Sequence, residues 1–334
     1  VERTDQPYLI PEVQRTHPQA TPERSGLEKE SDLRLSRVLF HSLLFLITAV
    51  CTTLTGAGFW VGTQLQSASL ISPIEYAVTA TLRGNFEPLT NGLVFSFTLL
   101  TILGAHEFGH YFACRYYGVR ATLPFFIPAP PLLTPFGTFG AVIKIRDQIR
   151  SRKALFDIGI AGPLAGFVFA LPASFIGLWI AKPSTINVTG GDSILFQDPP
   201  LFQILNQLLG VPAFINWNPV YWAAWAALLV TALNLFPVGQ LDGGHVVFAV
   251  AGRRIHKWVS LFTAVGVGVL AVLSFVWHQS PIWFLWTLVL LFLLKVGHPP
   301  VIETESLGPG RVILAVIALV VFLLCFLPFP ITIT

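Results

Sequence analysis

Apolar residues in this chain fall in long, nearly unbroken stretches rather than in the amphipathic stripes of a water-soluble helix bundle. A helix needs about 20 apolar residues to cross a bilayer. Residues 38–62 form the first stretch of that kind, and 91–117 the second, interrupted only by His106, Glu107, His110 and Arg115. Residues 155–181 and 219–238 give a third and a fourth. A short apolar piece at 246–250 precedes a fifth at 258–277. Residues 281–294 are short and Trp-rich, either a sixth span or an interfacial segment, and 312–327 close the set. The pattern predicts an all-α polytopic membrane protein with six to seven transmembrane helices.

One apolar segment cannot be a helix. Residues 121–145 read ATLPFFIPAPPLLTPFGTFGAVIKI, with five prolines in the first fifteen positions, and proline removes helical hydrogen bonds and clashes with the preceding turn. The second half, 137–145, is β-branched and Gly-rich. A re-entrant loop ending in a β-hairpin or edge strand is expected after the second span. Non-helical backbone survives at membrane depth only where protein or a wet cavity surrounds it, so a cavity is expected there too.

Composition agrees: 54% of residues are apolar and 11% charged, against about 25% charged in a soluble domain. Six of 20 Lys+Arg and seven of 17 Asp+Glu fall before residue 38. Residues 1–36 therefore read as a flexible polar tail, and 37–330 as the membrane-embedded domain. The basic residues Arg120, Lys144, Arg146, Arg150, Arg152 and Lys153, then Arg253, Arg254 and Lys257, then Lys295 and Arg311, all fall in alternate connections. With positive charge retained inside, the N-terminus lies on the cytoplasmic or stromal side. The net charge of +3 sits beside spans, so no nucleic-acid partner is expected. Cys51, Cys114 and Cys325 are isolated in apolar runs and suggest no disulfide framework. Asn187-Val188-Thr189 matches a glycosylation triplet, a frequent pattern that carries little weight here.

The chemistry lies in two motifs. His106-Glu107-Phe108-Gly109-His110 places two imidazoles at i and i+4, one turn apart on one helix face. Such a pair can hold one metal ion while the adjacent carboxylate serves as general base. Ionisable groups inside an apolar span are costly and are functional by default. A third ligand is needed, because catalytic zinc has three protein ligands and one open position. Cys114 continues the face but lies too far along the axis. Asp242 stands in NLFPVGQLDGGH, residues 234–245, where Pro237 and the glycines break the helix. Alone, Asp242 is equally a helix N-cap; beside HEFGH, the ligand reading prevails. His245 is an alternative ligand or an interfacial histidine. His41, His256, His278 and His298 lie near span ends without a partner motif.

H-E-x-x-H in one span and N-x-x-P-x-x-x-L-D-G-G in a later one resemble the site-2 protease family of intramembrane metalloproteases. His106, Glu107 and His110 match the first motif; Asn234, Pro237, Leu241, Asp242, Gly243 and Gly244 match the second. Gly137-Thr138-Phe139-Gly140-Ala141 and residues 157–166 (DIGIAGPLAG) look like the family's cyanobacterial and plastid branch. The resemblance covers about 91–255 and implies a three-span catalytic core. It implies one Zn2+ held by His106, His110 and Asp242, Glu107 as general base, and cleavage of transmembrane protein substrates within the lipid bilayer. It implies a bacterial inner membrane or a plastid or thylakoid membrane. Asn234 is either an oxyanion donor, as the resemblance implies, or a packing amide. The connection at 182–218 is too short for a PDZ or CBS domain. The small pair Gly162 and Gly166 suggests close packing of span three against the catalytic spans. Two rival functions remain: an ion-coupled transporter, which also uses broken helices and midplane charges, and a zinc-binding protein without proteolytic activity.

Overall fold

The computed structural model describes residues 24–65, 71–131, 134–183, 194–211, 215–216, 218–299, 301–302 and 305–333. Residues 1–23 of the expected tail and the triplet at 187–189 lie outside them. Contacts divide the chain into Val1–Phe40 and His41–Thr334. The first helix, α1 (Arg24–Leu65), begins inside the polar segment rather than after residue 36. Residues 27–37 hold no Gly or Pro, so nothing there stops a helix from extending N-terminally.

Among the described residues, four helices are long and apolar enough to cross a membrane. These are α1 from Val38 onward, α3 (Glu87–Tyr116), α4 (Arg152–Trp179) and α7 (Asp242–His278). Three shorter apolar helices accompany them: α6 (Pro219–Asn234), α8 (Ile282–Val296) and α9 (Pro309–Cys325). Two further helices, α2 (Ile71–Leu82) and α5 (Pro200–Leu209), lie in connections that the apolar pattern left open. The short apolar piece and the fifth span join as α7, with a break at Gly252, whose φ is 79°.

The hairpin forms between α3 and α4. Strands β1 (Phe125–Pro128) and β2 (Thr138–Val142) pair antiparallel, with Phe125 opposite Val142 and an irregularity after Phe126. The ladder extends outward through an Ala121–Ile145 bridge. At its base the Arg120 guanidinium meets Asp147 at 2.7 Å and holds that carboxyl below the usual carboxylate range. Gly137, at φ 73°, lies so near α1 that a Cβ there would sit 2.6 Å from the Cys51 carbonyl. That close approach and the left-handed backbone together require glycine. Four other short strands form two antiparallel pairs, β3 (Lys182–Pro183) with β5 (Ile215–Asn216) and β4 (Ile194–Phe196) with β6 (Ile331–Ile333).

Helix α4 is the hub, packing against α3, α5, α6, α7 and α9. Helix α6 is apolar all round and buried from Tyr221 to Leu229, as expected of a helix enclosed by others. Its start is set by Asn218, whose Oδ1 accepts from the Tyr221 N–H at 2.9 Å, and by Pro219 in the first turn. Helix α1 meets α3 through small and hydroxyl residues. Thr52 Oγ1 and Ser96 Oγ share a hydrogen bond of 2.6 Å, and Gly92 abuts the α1 backbone at Thr53. Helix α9 is tied to α4 by Arg311, whose Nε and Nη2 donate to Asp157 at 2.8 and 2.7 Å. Tyr117 also donates to Asp157.

Candidate metal centre

The inward face of α3 carries Gly92, Phe95, Ser96, Leu99, Leu103, His106, Glu107, His110 and Cys114. That three-to-four-residue spacing is one continuous helix face, so the apolar positions that bury the helix also carry the motif inward. His106, Glu107 and His110 are 5%, 7% and 7% exposed. Asp242 comes from a distant stretch of the sequence, 136 positions after His106. Helix α6 ends at Asn234, residues 235–241 turn, and Asp242 opens α7.

The three expected ligand residues meet. His106 Nε2 lies 3.2 Å from Asp242 Oδ2, His110 Nε2 lies 3.3 Å from Asp242 Oδ1, and the two Nε2 atoms are 3.1 Å apart. The two imidazoles engage different oxygens of the Asp242 carboxylate, one atom from each residue lies within 4.8 Å of the others, and the group is positioned to bind a metal. The ring tautomer fits as well. His110 Nδ1 is 2.7 Å from the Ile158 carbonyl; a carbonyl only accepts, so the proton sits on Nδ1 and the Nε2 lone pair faces the ligand group. Such partners orient metal-binding imidazoles.

Two glycines make this approach feasible. A Cβ at Gly162 would lie 2.0 Å from His110 Nε2, and one at Gly109 would lie 2.4 Å from the Ala161 carbonyl. Helices α3 and α4 are in backbone contact here, and the space of the missing Gly162 side chain is filled by the imidazole. Gly166 stands against His106 in the same way, at 3.1 Å. The small pair in span three thus packs directly on the two histidines.

Glu107 is not among the clustered ligand atoms. It stands near the Ile143 backbone, just beyond β2, so the hairpin ends beside it. Asn234 Nδ2 lies 3.3 Å from His106 Nε2, which places its amide at the rim of the same cluster. Cys114 lies one helical turn further along, in a separate apolar cluster with Ala154 and Ile158. His245 is not a member of the ligand group. Its Nδ1 lies 2.8 Å from His298 Nε2, a partnership that no local motif announces.

These features define a buried HExxH metal centre in a bundle of membrane-length helices. Residues 94–275 match the model of Peptidase family M50, and the chain belongs to that family. It is 30% identical over 255 residues to the "Probable zinc metalloprotease EGY2, chloroplastic" of Arabidopsis thaliana, covering 75% of this chain and 44% of that protein. It is 31% identical over 244 residues to the Arabidopsis thaliana protein of the same description numbered EGY1, covering 71% and 43%. A site-2 protease from Methanocaldococcus jannaschii is similar at 18% identity with a TM-score of 0.37, over 80% of this chain and 92% of that one. The chain spans less than half the length of the curated relatives it matches.

Proposed function

We propose that this chain is an intramembrane zinc endopeptidase that hydrolyses peptide bonds in or near the membrane-spanning segments of other proteins. The observation that carries the reading is two imidazoles and a carboxylate that bring one atom each within 4.8 Å of one another, beside a buried carboxyl group that is not one of them. A binding-only site needs no such carboxylate, and burying one in an apolar bundle is costly.

His106, His110 and Asp242 would hold the ion, with Asp242 supplying the one negative ligand. A zinc ion bound there would supply the acidification of water toward a pKa of about 7 and the polarisation of the scissile carbonyl. Glu107 takes the proton of the attacking water and passes it to the leaving amine. The Asn234 amide donates to the carbonyl oxygen as its negative charge develops. A helical substrate hides its carbonyls in its own hydrogen bonds, so it must unwind before attack. The hairpin is two-stranded, so each strand keeps an open edge that can take the unwound segment by strand addition. The chloroplast label of the relatives and the basic connections favour a plastid-type membrane with the N-terminus on the stromal side; the bacterial inner membrane is the equivalent location.

The test uses detergent-purified chain and a single-span substrate. Elemental analysis should find one zinc per chain; chelation should stop cleavage and added zinc restore it. Cleavage that persists in the metal-free chain would sink the proposal, as would substrate transport without cleavage. Asn234→Ala is expected to lower kcat by about 10²–10³-fold, the usual loss of one oxyanion donor, with KM and zinc content unchanged. A packing amide would instead lower the melting temperature and leave kcat alone.

A further inference from the structure

The segment that delivers Asp242 has no regular structure before α7 begins, and side-chain hydrogen bonds anchor it and the start of α7 to other parts of the fold. Ser260 Oγ donates to the Pro237 carbonyl at 3.0 Å. Gln240 Nε2 donates to the Gly297 carbonyl at 3.1 Å. Arg152 donates to the Ala249 carbonyl, and at 2.8 Å to that of Val250, closing the stretch of α7 before Gly252.

His298 contacts the first turns of α7. It stands in the turn after α8, beyond the residues that match the family model. Its Nδ1 is 2.7 Å from the Pro299 carbonyl. A carbonyl only accepts, so Nδ1 carries the proton and Nε2 offers a lone pair. His245, 2.8 Å away, therefore donates from its own Nδ1. Phe248 stacks on the other side of the arrangement, with ring centroids 4.0 Å apart and planes 16° from parallel to His298. One imidazole thus grips two residues, three apart, on the first turns of α7. His245 is itself one turn from Asp242 and its Cβ faces Gly159 on α4.

We propose that His298 is a positioning residue for the Asp242 ligand: it pins the first turns of α7 through His245 and Phe248, so that the Asp242 carboxylate stays aimed at the paired imidazoles. This rests on the metal-centre reading above. The class of partner it serves is a divalent cation of zinc size, and the device extends the working site into the α8–α9 connection.

Zinc affinity of the detergent-purified full chain, measured by competition with a chelator of known affinity, tests it without reference to activity. His298→Ala should weaken zinc binding about tenfold, the lower end of what outer partners of metal ligands contribute. His298→Gln keeps an acceptor for the His245 N–H and should stay within about threefold of the wild type. Because His298 acts largely through His245, the double variant His245→Ala/His298→Ala should be hardly worse than His245→Ala alone. Should His298→Ala fail to fold, His298→Gln and its pairing with His245→Ala decide the matter. Wild-type affinity in His298→Ala, a tenfold loss in His298→Gln, or losses that simply add in the double variant would overturn the proposal alone. A wild-type chain that binds no zinc would overturn the metalloprotease reading along with it.

Discussion

Glu107→Gln is expected to lower cleavage by about 10²–10⁴-fold, the range of a positioned acid–base group, while the chain keeps its zinc and its fold. The substitution changes one atom and removes the property that the proposed mechanism asks of this residue, the capacity to take and return a proton. The side chain keeps its shape and its place beside the Ile143 backbone. The three ligand residues are untouched, since Glu107 is not in the ligand group. Stability should hold or rise, because a carboxylate that is 7% exposed among apolar helices costs free energy to bury and an amide costs less. Activity falling while the melting temperature holds or climbs is the mark of a residue retained for chemistry. The measurement is single-turnover cleavage of a reconstituted substrate, with zinc by elemental analysis and a thermal melt on the same preparation. Cleavage within tenfold of the wild type would remove Glu107 from the reaction.

What the sequence could reveal of this site follows from how local each signal is. The histidine pair is legible because two residues four apart on a helix share a face whatever the rest of the chain does. The apolar stretches are legible because lipid imposes length and composition on each span separately. The proline-dense segment 121–145 excludes a helix from its own composition, and the structure places a hairpin there. Asp242 needed the company of HEFGH, since a single carboxylate after a helix break has a local explanation as a cap. The contacts that build the centre are of another kind. His110 to Ile158 and His245 to His298 join residues 48 and 53 positions apart, and no spacing rule links them. His256 and His298 looked solitary for that reason, although their rings lie 5.4 Å apart in the fold. Helices α2 and α5 escaped because 12 and 10 residues are too few for a span and their connections carry no strong period. The early start of α1 escaped because polar composition reports solvation and not backbone conformation.

Gly162→Ala is the substitution expected to damage the centre most without touching a ligand. The added methyl would lie 2.0 Å from His110 Nε2, 2.4 Å from Cδ2 and 2.5 Å from Cε1, far inside van der Waals contact. Something must move, and neither route spares the metal. If the imidazole rotates away, it gives up the Ile158 carbonyl bond of 2.7 Å and turns Nε2 from the ligand group. If α4 retreats from α3, the backbone contact at Gly109 and Ala161 opens, and the core over both helices loses the close packing on which its stability depends. Zinc affinity should fall by about 10–100-fold or more, at least the loss expected when a ligand's orienting partner is removed. Two other glycines grade the effect. Gly166→Ala would bring a Cβ to 3.1 Å from that of His106, a crowding that a few tenths of an ångström relieves, so a loss of only a few-fold is expected. Gly268→Ala on α7 meets nothing nearer than 3.6 Å and should gain up to about 1 kcal/mol from the better helix former, with zinc binding unaltered. The order Gly162, Gly166, Gly268 is therefore the order of expected loss in zinc affinity. Equal affinity in Gly162→Ala and the wild type would mean that His110 does not face the ion through Nε2, and the ligand set would have to be redrawn.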